Sequence, residues 1–133
     1  MNLATSPIVV PRSPYDDAMS PARILFSFRG RVPRKVYWLW GVLGPLLFSV
    51  MAEMLLEIVG VPERRAETLT SALLLWPCAA VSVKRWHDLD RTGWWVLLHL
   101  VPVIGVIWTL IANGFRRGTV GSNRFGLDLT GQF

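Results

Sequence analysis

The stretch Lys84-Arg85-Trp86-His87-Asp88-Leu89-Asp90-Arg91-Thr92-Gly93-Trp94-Trp95 decides how this chain folds. Its twelve residues hold three bases, two acids, one histidine and three tryptophans, and an apolar run lies on each side. An ionic segment between apolar runs, closed by paired tryptophans, reads as a polar junction between two membrane spans at the lipid–water boundary.

Charge is distributed accordingly. No Asp, Glu, Lys or Arg occurs from Val36 to Ala52, from Thr68 to Val83 or from Thr92 to Phe115, runs of 17, 16 and 24 residues. A soluble chain of 133 residues with 23 charges would need some of them on its exposed helix faces. The pattern predicts an all-α membrane protein with about three kinked transmembrane helices, at about 36–58, 66–86 and 93–114. A short interfacial segment precedes them. Pro45, Pro77 and Pro102 supply one kink to each run.

The remaining segments follow from composition. Residues 1–22 carry Pro7, Pro11, Pro14 and Pro21 and read as a disordered cytoplasmic tail. Residues 23–128 form the membrane domain, and 129–133 are its C-terminal end. Between Arg23 and Lys35 apolar and basic residues interleave, so Leu25, Phe26 and Phe28 are expected in the headgroup boundary. Arg29, Arg31, Arg34 and Lys35 would then face water and lipid phosphate. The second run is short, about 24 Å against a hydrocarbon thickness of about 30 Å, so Lys84 and Arg85 are expected to snorkel from its last turn.

The net charge of +5 sits in blocks flanking apolar runs rather than along one helix face, which excludes a nucleic-acid reading. Placed with the N-terminus inside, three crossings leave nine bases on the cytoplasmic side and five outside. Arg116 and Arg117 then lie on the wrong side, a conflict that an even number of crossings would remove. Cys78 is the single cysteine and cannot form an internal disulfide.

Three motifs in order identify a family resemblance. They are Phe26-Ser27-Phe28-Arg29-Gly30-Arg31 followed by Arg34-Lys35-Val36-Tyr37-Trp38, the central junction, and Gly118-Thr119-Val120-Gly121-Ser122-Asn123-Arg124-Phe125-Gly126-Leu127-Asp128. Together with the apolar runs they resemble the bacterial domain-of-unknown-function family 805. Lys84 and Trp86 stand where Arg and Leu are expected, and Thr92 where Ser is usual. The resemblance implies a multi-pass protein of the bacterial inner membrane. It implies no reaction.

Candidate chemistry is sparse. His87 and Asp88 could handle protons, alone or with His99 or Glu53, in a small membrane enzyme or transporter. Adjacent helical residues point about 100° apart, however, so Lys84 with Asp88 and His87 with Arg91 are the better-placed partners. His99, in an apolar run, is either a functional group or a donor to the Leu98 carbonyl freed by Pro102. No metal-ligand spacing and no cofactor motif occurs. The leading expectation is a non-catalytic binding or organising module. Its basic face of Arg29, Arg31, Arg34, Lys35, Lys84, Arg85 and Arg91 would contact membrane lipids, another membrane protein or a second copy of itself.

Overall fold

A computed structural model describes residues 19–132. Among them the backbone is helical, and the single β-bridge, Asn123 with Gly126, belongs to no strand. Most of the expected N-terminal tail lies outside the described residues. Order nevertheless begins before residue 23: α1 spans Pro21–Phe26, with the Ser20 hydroxyl accepting from the Arg23 amide and Pro21 at the first helical position.

Two helices are long and apolar enough to cross a membrane, α2 (Arg34–Ile58) and α3 (Glu63–Asp88). In α2 the stretch Tyr37–Leu43 winds as a π-helix, and the Gly44 amide donates to the Leu39 carbonyl. Pro45 explains the wider turn, because it has no N–H to continue the α pattern. From Gly44 to Ile58 the helix buries no residue, so leucines and methionines such as Leu46, Leu47, Met51 and Met54 point outward. A water-soluble protein rarely exposes such a contiguous apolar face; hydrocarbon solvates it readily. Gly60, at φ +84°, and Pro62 turn the chain into α3, which passes through Pro77 without a break.

The third apolar run differs from the expected single span. It folds as a hairpin of two short arms, a 3-10 helix at Gly93–Leu100 and α4 at Ile104–Phe115. Val103 makes the reversal with φ +62° and ψ −69°, and the Ile104 amide donates to the Pro102 carbonyl at 2.7 Å. That is a strained γ-turn, rare for any L-residue and rarer for a β-branched one. Gly105 lies so close to the Leu98 carbonyl that a Cβ there would collide with it. Eight and twelve residues span about 16 and 18 Å, too short for either arm to cross hydrocarbon alone.

The hairpin ends where it began. The Arg34 guanidinium donates to the Phe115 carbonyl at 3.1 Å, and the Trp38 indole donates to the Gly114 carbonyl at 3.1 Å. The N-terminal arm, the end of α3 and the C-terminal segment therefore gather into one cap at a single end of the helices. Beneath the cap, Ile24, Val32, Val36, Tyr37 and Val81 form the apolar core.

Candidate functional site: a buried ionic clasp

Asp88 sits at the last turn of α3 and is 3% exposed. A carboxylate removed from water needs positive and hydrogen-bonding partners on both oxygens. Arg31 supplies one side, its Nε and Nη2 reaching Oδ1 at 3.0 and 2.9 Å. Arg85, one turn earlier on α3, pairs with Oδ2. Gly118 passes directly over the carboxylate; a Cβ at that position would clash with it.

The two guanidiniums then use their remaining protons to tie down backbone. Arg31 donates to the carbonyls of Gly121 at 2.7 Å and Thr119 at 2.6 Å. Arg85 donates to the Asn113 carbonyl at 2.6 Å and to that of Arg116. The planar five-donor fork of arginine suits this task, since it binds a carboxylate and several carbonyls at once. The Thr119 amide closes the ring by donating to the Asp88 carbonyl at 2.8 Å. Three segments far apart in sequence thus share one buried ionic centre.

His87 points another way. Its Nδ1 lies 3.1 Å from the Gly30 carbonyl, and its ring stacks on Phe125 at 4.0 Å, with the planes 2° apart. Asn123 donates to the His87 carbonyl at 2.9 Å, and Arg124 pairs with Asp90 at 3.2 Å while covering Phe125. The tail motif is thereby fastened residue by residue to the junction motif.

Several expected site residues change role. Arg31, Lys84 and Arg85 are not part of a water-facing basic surface; they are 2%, 3% and 0% exposed. Lys84 neither snorkels nor pairs with Asp88. Its ammonium donates to the carbonyls of Arg23 and Ile24 in α1, where a short helix leaves acceptors that hydrocarbon cannot satisfy. Arg91 does not share a contact with His87 but lies over the Trp95 ring at 5.3 Å. Arg29, Arg34, Lys35 and Arg91 remain exposed. His99 is exposed too, and its Nδ1 contacts the Val96 carbonyl at 2.9 Å rather than that of Leu98. Among the described residues no three His, Cys, Asp or Glu side chains are close enough to hold a metal ion.

Thr119, Asn123 and Phe125 were not singled out individually from the sequence, although the motif containing them was. Beside the clasp lies a cavity of about 460 Å³, lined by Arg23, Ser27, Arg29 and Leu127, with Arg31 in its wall. Phe26, 61% exposed, follows Arg23 along α1 and carries the apolar face of the arm outward.

Apolar spans joined by a buried ionic cap define a small helical membrane protein. The chain belongs to the family described as protein of unknown function (DUF805), whose model matches residues 25–127. It is 38% identical to inner membrane protein YhaH of Escherichia coli K12 over 106 residues, covering 77% of this chain and 86% of that protein. Inner membrane protein YhaI is 35% identical over 103 residues, covering 77% and 85%, and the uncharacterized protein YiiR is 33% identical over 134 residues, covering 78% and 86%; both are from the same organism. No solved structure matches. Inner-membrane relatives and apolar helices agree on the membrane as this protein's setting.

Proposed function

We propose that the protein crosses the inner membrane twice, carries its third apolar run as a re-entrant hairpin, and uses its cytoplasmic cap to hold anionic lipid headgroups. The observation that carries this reading is the gathering of both described ends at the cap. Eleven bases, from Arg23 to Lys35, from Lys84 to Arg91 and from Arg116 to Arg124, then share one side, against Arg64 and Arg65 on the other. Positive charge on that scale marks the cytoplasmic face, and Arg116 and Arg117 no longer conflict with it.

The cavity beside the clasp supports the second half. Arg23 and Arg29 offer cations and Ser27 a hydroxyl at the level where Phe26 faces outward, a combination that suits a phosphate with an acyl chain beside it. Each base near an anionic surface is worth about 1 kcal/mol. Asp88 is not proposed as an acid–base catalyst, since both its oxygens are engaged and it is closed to solvent.

Two measurements test the reading. Reporter fusions at Gly60 and after Asp128 should place the first in the periplasm and the second in the cytoplasm; a periplasmic C-terminal reporter refutes the two-crossing arrangement. Arg23→Gln with Arg29→Gln should weaken capture of phosphatidylglycerol by the detergent-solubilised protein roughly tenfold or more, at about 1 kcal/mol for each base. Unchanged capture by a folded double variant refutes the headgroup role.

A further inference from the structure

α1 separates two hollows of opposite character. Arg23 and Ser27, at its two ends, line the polar cavity beside the clasp. Leu25 and Phe26, between them in sequence, line an apolar groove of about 360 Å³ whose other walls are α2 and α3. The local sequence opens this groove. Gly44 brings no side chain to it, Pro45 follows the wide π-turn of α2, and Pro77 faces them from α3, so the two helices leave a space that α1 roofs.

The roof is held in place. The Trp76 indole donates to the Phe26 carbonyl at 3.2 Å, and the Phe28 ring meets Trp76 edge-on at 4.8 Å. Lys84 donates to the carbonyls of Arg23 and Ile24 one turn earlier. A groove fixed before its occupant arrives costs little ordering on binding. Its lining on α2 runs from Trp40 to Phe48, about 12 Å, so a volume of about 360 Å³ is one hydrocarbon chain wide. Beyond Phe48 and Leu73 lies a second apolar hollow of about 380 Å³, at Met51, Leu55 and Leu69. That one has no α1 wall and lies toward the opposite ends of the helices, away from the bases of the cap.

We propose that the groove holds one acyl chain of the anionic phospholipid whose phosphate lies beside Arg23 and Arg29, so that the lipid straddles α1. The assignment rests on the headgroup role of the cap cavity and adds a built chain site to it. Cations on one side of a single helical turn and an apolar channel on the other match a charged head joined to hydrocarbon. A free phosphate would leave the groove unused, and an uncharged lipid would leave the two arginines unused. The second chain stays in the bilayer. Lipid that merely coats the outward leucines of α2 has no reason to favour one headgroup; a lipid held at both head and chain does.

The full chain is reconstituted in phosphatidylcholine vesicles containing a trace of photoactivatable lipid. The probe carries a diazirine in one acyl chain and has either a phosphatidylglycerol or a phosphatidylcholine headgroup. Cross-linked residues are mapped by mass spectrometry. At Trp40, Phe48 and Leu73 the phosphatidylglycerol probe should label at least about fivefold more than the phosphatidylcholine probe, because two bases favour the anionic head. At Leu55 and Leu69, in the second hollow, the two probes should label alike. Arg23→Gln with Arg29→Gln should bring the ratio in the groove close to one. Equal labelling of the groove by both probes, with phosphatidylglycerol capture in detergent still weakened by the double variant, overturns the chain site and leaves the headgroup role standing. An equal excess in both hollows reports surface attraction alone and overturns it too, as does an excess in the groove that survives the double variant. Equal labelling together with capture indifferent to the double variant removes the headgroup role, and the chain site falls with it.

Discussion

The two ends of α3 treat charge in opposite ways. At the Asp88 end, one carboxylate and two guanidiniums are buried and paired, with backbone carbonyls accepting further donors from both arginines. At the Glu63 end, carboxylates stand exposed or half-buried with no ion pair among the described residues. The same residue types therefore brace the structure at one end and remain available at the other. Composition does not separate these fates; the presence of a second chain segment within reach does.

The sharpest way to break the contrast is Asp88→Ala set against Glu67→Gln. Removing Asp88 leaves two buried guanidiniums without their shared anion and should cost about 3–5 kcal/mol, read from unfolding in micelles. Glu67→Gln, at an exposed unpaired position, should fall within about 0.5 kcal/mol. Equal effects would mean that the clasp is not a bracing element. Gly118→Ala forces a methyl group against the Asp88 carboxylate and should cost about 1–3 kcal/mol. It should also detach the tail, raising amide exchange at Thr119.

A smaller effect, of opposite sign, is expected away from the clasp. Val103→Gly relieves a β-branched residue held at φ +62°, and the strain released should exceed the entropy cost of glycine by about 1 kcal/mol. Destabilisation would mean that the valine side chain has a packing role outweighing its strain. The least effect belongs to Asp128, whose carboxylate accepts from the Thr130 side chain and from the amides of Thr130 and Gly121, holding its pKa at about 2. A depressed carboxylate contributes fully above its ordinary value of 3.8 and loses that contribution as pH falls toward about 2. The protection of the Gly121 amide, taken relative to its intrinsic exchange rate at each pH, should therefore fall below pH 4 and be unchanged from pH 5 to 8; Asp128→Asn should remove that low-pH step.

Much of the architecture was legible in the sequence because hydropathy and charge gaps report lipid exposure directly. The helices Arg34–Ile58 and Glu63–Asp88 and the three-motif resemblance all come from local pattern. The hairpin does not. A run of 24 uncharged residues has the same composition whether it crosses once or turns back, and Pro102 reads as a kink as readily as a turn when no Gly, Asn or Asp stands beside it. Gly105 was a signal of close approach that hydropathy does not weigh. The fate of Lys84 was hidden for a different reason, because its acceptors lie sixty residues away in α1. Burial of a charge depends on distant backbone, which no window along the chain can contain.

The clasp also fixes an order of events. Arg31 and Asp88 emerge from the ribosome well before Thr119 and Gly121, whose carbonyls complete the arginine's set of acceptors. During synthesis the first two spans can enter the bilayer while their ionic centre still faces water. Only the later-made segment that carries Thr119 and Gly121 seals it. A chain stopped before Thr119 would leave that centre unsealed, so closure of the clasp reports that both spans and the hairpin have already been made.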